Sequence, residues 1–204
     1  KEYYDLFPAM INDWRKKWGK DFPFYWVQLA NYMDAVEVPS ESLWAQVREA
    51  QTQTLSLSHT GQAVIIDIGE AKDIHPKNKQ EVGRRLALHA LHNDYGFSDV
   101  VCESPMPKTV RRVQDKIVVQ FDNVADGLIV KNKYGYLMSF AVAGNDGVYK
   151  WVQAKVAGKD RVVLSCPDVI DPVSVRYAWG DNPDDANLYN SVGLPATPFE
   201  IKIE

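Results

Sequence analysis

The fold class is decided by the run Ala63-Val64-Ile65-Ile66-Asp67, in which four apolar residues end in a carboxylate. A short, uninterrupted apolar run of this kind predicts a strand that is buried on both faces. A helix is predicted after it, with an end near Gly96. The apolar face of that helix is formed by Val82, Leu86, Ala90 and Leu91. The loop 68–75 therefore leaves a buried strand and enters a helix.

The same alternation extends back to the start of the chain. Residues 3–18 carry apolar side chains at helical spacing, residues 22–30 form a second apolar run, and a helix is predicted to begin near Ser40, whose hydroxyl can cap it. Core positions in this part include Trp14, Trp18, Trp26 and Trp44. Helices alternating with uniformly apolar strands predict a parallel sheet covered by helices. Because two strands make a poor sheet alone, we expect about half of an α/β domain to lie upstream of Lys1.

The pattern changes after Gly96. Short β-prone runs at 116–121, 161–164 and 174–179 are separated by turn signals at the intervals typical of a sandwich. We therefore place a boundary near Ser98 and predict an α/β part at 1–97 and an all-β, sandwich-like domain at 98–204.

The composition excludes several classes of protein. The chain has 204 residues, is 46% hydrophobic and carries a net charge of -4, which is typical of an ordinary globular protein. It has no basic footprint for nucleic acid or an acidic membrane and no apolar stretch of ~20 residues. A small neutral or polar partner is expected. Cys102 and Cys166 could form one disulfide or remain buried thiols, and their number and spacing match no disulfide framework.

The loop that ends at His75 is the candidate site for chemistry. Reactive groups in open α/β sheets gather beyond the carboxyl ends of the strands, and Pro76 holds His75 outside the helix. A histidine accepts a proton from a hydroxyl near neutral pH, and a carboxylate on its far nitrogen fixes the tautomer. Asp73 is the nearest carboxylate. The alternative is that His75 packs at the helix start, while Asp73 and Glu70 are solvated.

The segment around His75 resembles the signature of the sialate O-acetylesterases, with Asp73-Ile74-His75-Pro76-Lys77-Asn78-Lys79-Gln80 followed by Val82-Gly83-Arg84-Arg85-Leu86-Ala87. The resemblance extends to Tyr3-Tyr4, Phe7-Pro8-Ala9-Met10-Ile11, Phe24-Tyr25-Trp26-Val27-Gln28-Leu29, Arg48-Glu49-Ala50-Gln51, Val175-Arg176-Tyr177-Ala178-Trp179, Asn187-Leu188-Tyr189-Asn190 and Gly193-Leu194-Pro195-Ala196. It thus covers nearly the whole chain.

That resemblance implies an SGNH-type carbohydrate esterase on a flavodoxin-like sheet, of which this chain is the C-terminal portion. The implied catalytic residues present here are His75 and Asp73. Many such esterases have an aspartate three residues before the histidine, but this sequence has Lys72 there, so Asp67 and Glu70 remain alternatives to Asp73. The serine and oxyanion-hole blocks are expected in an upstream segment. Neither a metal nor an organic cofactor is expected.

The implied function is hydrolysis of O-acetyl esters on sialic acid or related sugars, in the periplasm or outside the cell. The chain alone is expected to be inactive because it lacks the nucleophile. Two alternatives are a non-catalytic carbohydrate-binding or scaffolding module, in which 98–204 would be the functional part, and an acetylxylan-type deacetylase of the same superfamily.

Three other sequence features resemble functional sites but have a commoner structural explanation. Ser98, in the only Gly-x-Ser, does not lie between a strand and a helix as a nucleophile elbow requires. His89 and His92 share a helix face but are too few for zinc. Trp151 and Trp179 are candidates for stacking on sugars, although packing is the commoner role of aromatics in a sandwich.

Overall fold

The computed structural model describes all 204 residues, Lys1–Glu204. It has three α-helices, namely α1 (Tyr3–Trp18), α2 (Leu43–Gln53) and α3 (Lys79–Asn93), and a short 3-10 helix at Thr54–Ser56. The strands are β1 (Phe24–Val27), β2 (Thr60–Ala63), β3 (Met106–Val113), β4 (Lys116–Asp122), β5 (Leu128–Val130), β6 (Phe140–Ala143), β7 (Tyr149–Trp151), β8 (Gln153–Ala157), β9 (Arg161–Ser165), β10 (Ser174–Tyr177), β11 (Leu188–Asn190) and β12 (Phe199–Lys202).

The predicted parallel pair is present. Strands β1 and β2 pair in parallel, with Phe24 opposite Thr60 and Val27 opposite Ala63. The pairing begins three residues before the predicted run and ends at its first residue, so 64–67 lie outside the strand. Val64 and Ile66 nevertheless stay buried, because they pack into the hydrophobic core of the β part.

Helix α3 forms where predicted but turns a different face inward. Its buried residues are Arg85 and His89, whereas Val82 and Leu86 are only partly buried. Both polar side chains hydrogen-bond to the neighbouring backbone, which offsets the cost of burying them. Gly61 on β2 makes room, because a Cβ there would lie 2.5 Å from His89 Nδ1. The predicted apolar face is therefore wrong.

Helix α1 buries only its N-terminal half. Phe7 and Ile11 pack against Trp26, while Trp14 is 44% exposed and Trp18 is 71% exposed. Those last two rings stack on one another at a centroid distance of 6.5 Å. The prediction that Trp14 and Trp18 lie in the core is wrong, although the Trp14 ring lies near Phe24, the first residue of β1, at a centroid distance of 5.9 Å.

The β part consists of antiparallel sheets around one core. One four-stranded sheet has the order β3-β4-β9-β8, the other has the order β12-β10-β6-β7, and β11 pairs with β5. The β-prone runs at 116–121 and 161–164 are strands β4 and β9, and the run at 174–179 contains β10. Side chains from both four-stranded sheets share the core cluster, as do Val64 and Ile66. The chain is a mixed α/β structure with mostly antiparallel sheets.

The structure also shows which serine caps α2 and what state the two cysteines are in. The cap of α2 is Ser42 rather than Ser40, because the Ser42 hydroxyl accepts a hydrogen bond of 2.9 Å from the Ala45 amide. Cys102 and Cys166 are buried free thiols. None of the helices combines the length and the apolar character that crossing a bilayer requires.

Candidate functional site

The His75 loop connects the buried run after β2 to α3. Asn78 ends the loop by accepting a hydrogen bond of 3.2 Å from the Glu81 amide, which caps the helix. Pro76 is buried, whereas the His75 side chain is 84% exposed. The neighbouring proline thus anchors the backbone while the imidazole faces solvent.

Asp73 is the carboxylate beside His75. Its Oδ1 accepts a hydrogen bond of 2.9 Å from the His75 amide and lies 3.5 Å from His75 Nδ1. That backbone hydrogen bond, followed by the nearby imidazole and Lys77, holds the pKa of Asp73 below its usual value. Asp73 is therefore ionised at neutral pH. At 3.5 Å the two side chains are close but do not form a short hydrogen bond.

The two alternative acids are paired with other residues. Asp67 receives a two-pronged ion pair from Arg85, with Nη1–Oδ1 at 2.6 Å and Nη2–Oδ2 at 2.9 Å. The Tyr189 hydroxyl also donates to Asp67 Oδ2 at 3.2 Å. Glu70 pairs with Lys77 Nζ at 2.7 Å. Of the three carboxylates named from the sequence, only Asp73 contacts His75.

Arg85 also holds α3 against the loop. Besides Asp67, its guanidinium donates to the Val64 carbonyl at 2.6 Å and to Glu81 at 2.8 Å. Arg85 and Asp67 are both nearly fully buried, so water screens the attraction between their charges only weakly. Their two parallel hydrogen bonds fix the relative orientation of the side chains. This pair sets the position of the helix relative to the strand from which the loop departs.

Asn31 ties the start of the loop to the β part. Its Oδ1 accepts a hydrogen bond of 2.7 Å from the Gly69 amide, and its Nδ2 donates to Asn182 Oδ1 at 2.8 Å. Asn182 in turn donates to the Met33 carbonyl at 2.8 Å. A Cβ at Gly69 would lie 2.2 Å from both the carbonyl and the side-chain oxygen of Asn31. Only glycine therefore allows this close approach.

Arg48 also connects the segment after β1 to the β part. It is fully buried and donates to four carbonyls, those of Leu29, Ala30, Gly180 and Asp181, at 2.6 to 2.9 Å. The first two follow β1 and the last two follow β10. One guanidinium thus joins two loops that are more than 130 residues apart. Arg48 belongs to a segment that resembles the sialate O-acetylesterases, but its position in a predicted helix gave no sign of this role.

No serine of the chain contacts His75. Ser98 is exposed and lies in the turn after α3. Ser139 donates to the Asp185 carboxylate, with no histidine nearby among its contacts. The structure therefore brings His75 and Asp73 together, and no hydrogen bond joins either side chain to a serine.

The remaining histidines have local partners. His89 Nε2 lies 3.0 Å from the Gln62 carbonyl, His92 Nδ1 lies 2.8 Å from the Val100 carbonyl, and His59 Nδ1 lies 3.1 Å from Asp21. Burial lowers the pKa of His89. His89 and His92 thus bond to backbone rather than to a common point.

No family model matches the chain. Among curated proteins it is similar to the mouse sialate O-acetylesterase, with 28% identity over 231 residues, and to the human one, with 28% identity over 224 residues. These alignments cover 98% and 97% of this chain but 41% and 42% of those proteins. The chain spans about two fifths of the length of the curated relatives it matches.

Among solved structures, the chain is similar to a carbohydrate acetylesterase from Xanthomonas citri. The TM-score is 0.90 at 44% sequence identity, and the superposition covers 98% of this chain and 46% of that one. Along nearly its whole length the chain is therefore similar to carbohydrate acetylesterases, and its resemblance to the sialate O-acetylesterase family is confirmed.

Proposed function

We propose that this chain supplies the general base for hydrolysis of O-acetyl esters on a sugar, sialic acid or a related one. The observation that carries the proposal is the exposed imidazole of His75, which has Asp73 beside Nδ1 and no partner at Nε2. Similarity to carbohydrate acetylesterases supports the same reaction class. In this assignment, His75 and Asp73 are the catalytic residues.

The proposed mechanism is acyl transfer in two steps. A serine hydroxyl attacks the acetyl carbonyl while His75 Nε2 takes its proton, and the imidazolium then protonates the departing sugar oxygen. Water next attacks the acetyl-serine, with His75 accepting the water proton and returning one to the serine as acetate leaves. The ionised Asp73 stabilises the imidazolium in both steps.

The nucleophile is proposed to come from a segment outside this chain. In the SGNH arrangement, serine and oxyanion-hole donors on further parallel strands would complete the sheet begun by β1 and β2. Residues 1–97 would then be the C-terminal part of an α/β esterase domain, and 98–204 a β-sandwich domain. The chain alone is proposed to be inactive, and the whole protein to act in the periplasm or outside the cell.

Replacement of His75 in the full-length protein tests this function. We expect His75→Ala to lower kcat/KM for acetyl release by about 10²–10⁴-fold or more, because the general base is lost. The neighbouring exposed Lys72→Ala serves as a control and should stay within about twofold, since a surface substitution there disturbs no partner. Activity of His75→Ala at the level of the control would refute the proposal.

A further inference from the structure

A second candidate binding site lies at one end of the sheet β12-β10-β6-β7. The start of β6, the end of β7 and the segment after β10 enclose a cleft of about 280 Å³, closed on one side by residues 35–37. This volume lies at the lower edge of the ~300–1,000 Å³ range of small-molecule sites. No residue of the His75 loop lines it.

Two tryptophans are among the nine hydrophobic residues that line the cleft. Trp151 is 42% exposed, and its indole N–H donates to the Glu37 carbonyl at 2.9 Å, so the ring is held in one orientation. Trp179 is 6% exposed, and the Arg176 guanidinium lies 4.9 Å from its ring centroid. Rings that are already fixed lose little conformational entropy when a ligand stacks on them.

The indole N–H of Trp179 is buried and has no acceptor in the chain. A buried donor without a partner is uncommon in a folded protein.

The backbone around the cleft is strained at two positions. Ser139 has φ 62° and Ala178 has φ 50°, and the Ala178 amide donates to the Ser139 carbonyl at 3.0 Å. Both residues line the cleft. Left-handed backbone at residues other than glycine persists where the surroundings enforce it, and such residues concentrate at ligand sites.

The charges of the cleft select the class of ligand. Its lining contains three carboxylates, those of Glu37, Asp184 and Asp185, and it contains no lysine, arginine or histidine. Carboxylates accept strong hydrogen bonds from hydroxyl groups but repel another anion. Arg176, behind Trp179, is already paired with Glu41 and Glu200 at 2.6 Å.

We propose that this cleft binds one ring of a neutral saccharide, with a sugar face stacked on Trp151 and its hydroxyls donating to the rim carboxylates. A sugar that carries its own carboxylate is excluded by like charge. This proposal concerns binding and does not rest on His75, so it stands or falls separately from ester hydrolysis.

The test is a titration of the full-length protein labelled with 5-fluorotryptophan, followed by fluorine NMR. The probes are the methyl β-glycosides of glucose, galactose, mannose and xylose, together with methyl β-glucuronide, which differs from the glucoside by one carboxylate. At least one neutral glycoside should shift the Trp151 and Trp179 signals, and the glucuronide should not. The exposed Trp18 should not respond to any of them.

Three variants localise the binding. Trp151→Ala should weaken it by about tenfold or more, as expected for loss of an aromatic anchor, whereas Trp18→Ala should leave it unchanged. Gly180→Leu should block the cleft, because Gly180 lines it and a Cβ there meets nothing within 4 Å. No response to any neutral glycoside, equal binding of the glucuronide, or equal losses in the two tryptophan variants would overturn the proposal.

Discussion

His75 is attached to the rest of the molecule through its backbone and through one side of its ring. The Asp73 carboxylate serves both contacts, since Oδ1 accepts the His75 amide and lies beside Nδ1. Its low pKa means that the negative charge persists to acidic pH and is lost only as the pH falls through that lowered value. The Asp73 carboxylate thus both positions the His75 backbone and places a negative charge beside the imidazole ring.

Asp73→Asn separates these two roles. The amide oxygen of asparagine would still accept the His75 N–H, so the loop should keep its shape, but the countercharge for the imidazolium is gone. We expect kcat/KM in the full-length protein to fall by about 10- to 100-fold, less than for loss of the base itself. Glu70→Gln, from the same loop, should stay within about twofold. A larger loss in Glu70→Gln would assign the orienting role to Glu70 instead.

Arg48 contributes stability rather than chemistry. Arg48→Met would leave the Leu29 and Gly180 carbonyls without a donor, whereas the Ala30 carbonyl keeps the Trp44 indole and the Asp181 carbonyl keeps the Tyr32 amide. We therefore expect the free energy of unfolding to fall by about 2–5 kcal/mol in urea denaturation. Arg84→Met removes a guanidinium that also bonds a carboxylate twice, but on the exposed side of α3, and should cost under ~1 kcal/mol. Similar small losses in both variants would show that the buried donors are dispensable.

At the scale of elements, α3 and β2 meet through a glycine and a histidine. The His89 ring stacks on Tyr25 at 5.6 Å and reaches the Gln62 carbonyl across Gly61. This contact sets how closely the helix approaches the parallel pair. The His75 loop lies between the same two elements, so their spacing also sets the span that the loop must bridge.

Gly61→Ala tests that spacing. The new methyl would lie 2.5 Å from His89 Nδ1, so we expect a loss of about 1–3 kcal/mol from overpacking. In a His89→Ala background the same change should cost less, because only the 2.9 Å contact with Tyr25 Cδ1 remains, and the difference is the coupling energy of a double-mutant cycle. Gly83→Ala, in the middle of α3 with open space around it, should stabilise by about 0.5–1 kcal/mol. Additive effects of Gly61→Ala and His89→Ala would contradict the packing described here.

The elements themselves were largely predictable, but their contacts were not. Local periodicity indicated α1, and continuous apolar runs indicated β1 and the approach to β2, because these signals lie within a few neighbouring residues. The inward face of α3 was not predicted, because hydropathy places Arg85 on the surface and carries no information about the carbonyl and the two carboxylates to which Arg85 hydrogen-bonds. The His75 loop was identified through its motif. The roles of Arg48 and Asn31 were not predicted, because each of them also bonds a partner more than 130 residues away in the chain.

At the scale of the whole molecule, the core of the β part extends into the predicted α/β part. Val64 and Ile66 precede the predicted boundary near Ser98, yet they pack among the β-sheet residues. Polar contacts cross the same boundary at Asn31–Asn182 and at Asp67–Tyr189. Contacts of this number and depth favour cooperative unfolding of the whole chain.

Ile66→Ala tests that cooperativity. Removing a fully buried side chain from this core should cost about 2–5 kcal/mol, and the α/β part should be destabilised together with the β part. We expect far-UV circular dichroism and tryptophan fluorescence to give coincident melting curves before and after the change. Two separated transitions, with only one shifted by Ile66→Ala, would establish independent domains at 1–97 and 98–204.

The contact between Gly61 and His89 also links the evolutionary histories of the two positions. Neither residue alone specifies the gap between strand and helix, because the ring occupies the volume that a side chain at 61 would need. A lineage that replaces Gly61 must first or simultaneously replace His89 with a smaller residue, and a lineage that keeps His89 must also keep Gly61. The two sites are therefore expected to covary among descendants, although 28 positions separate them in the chain.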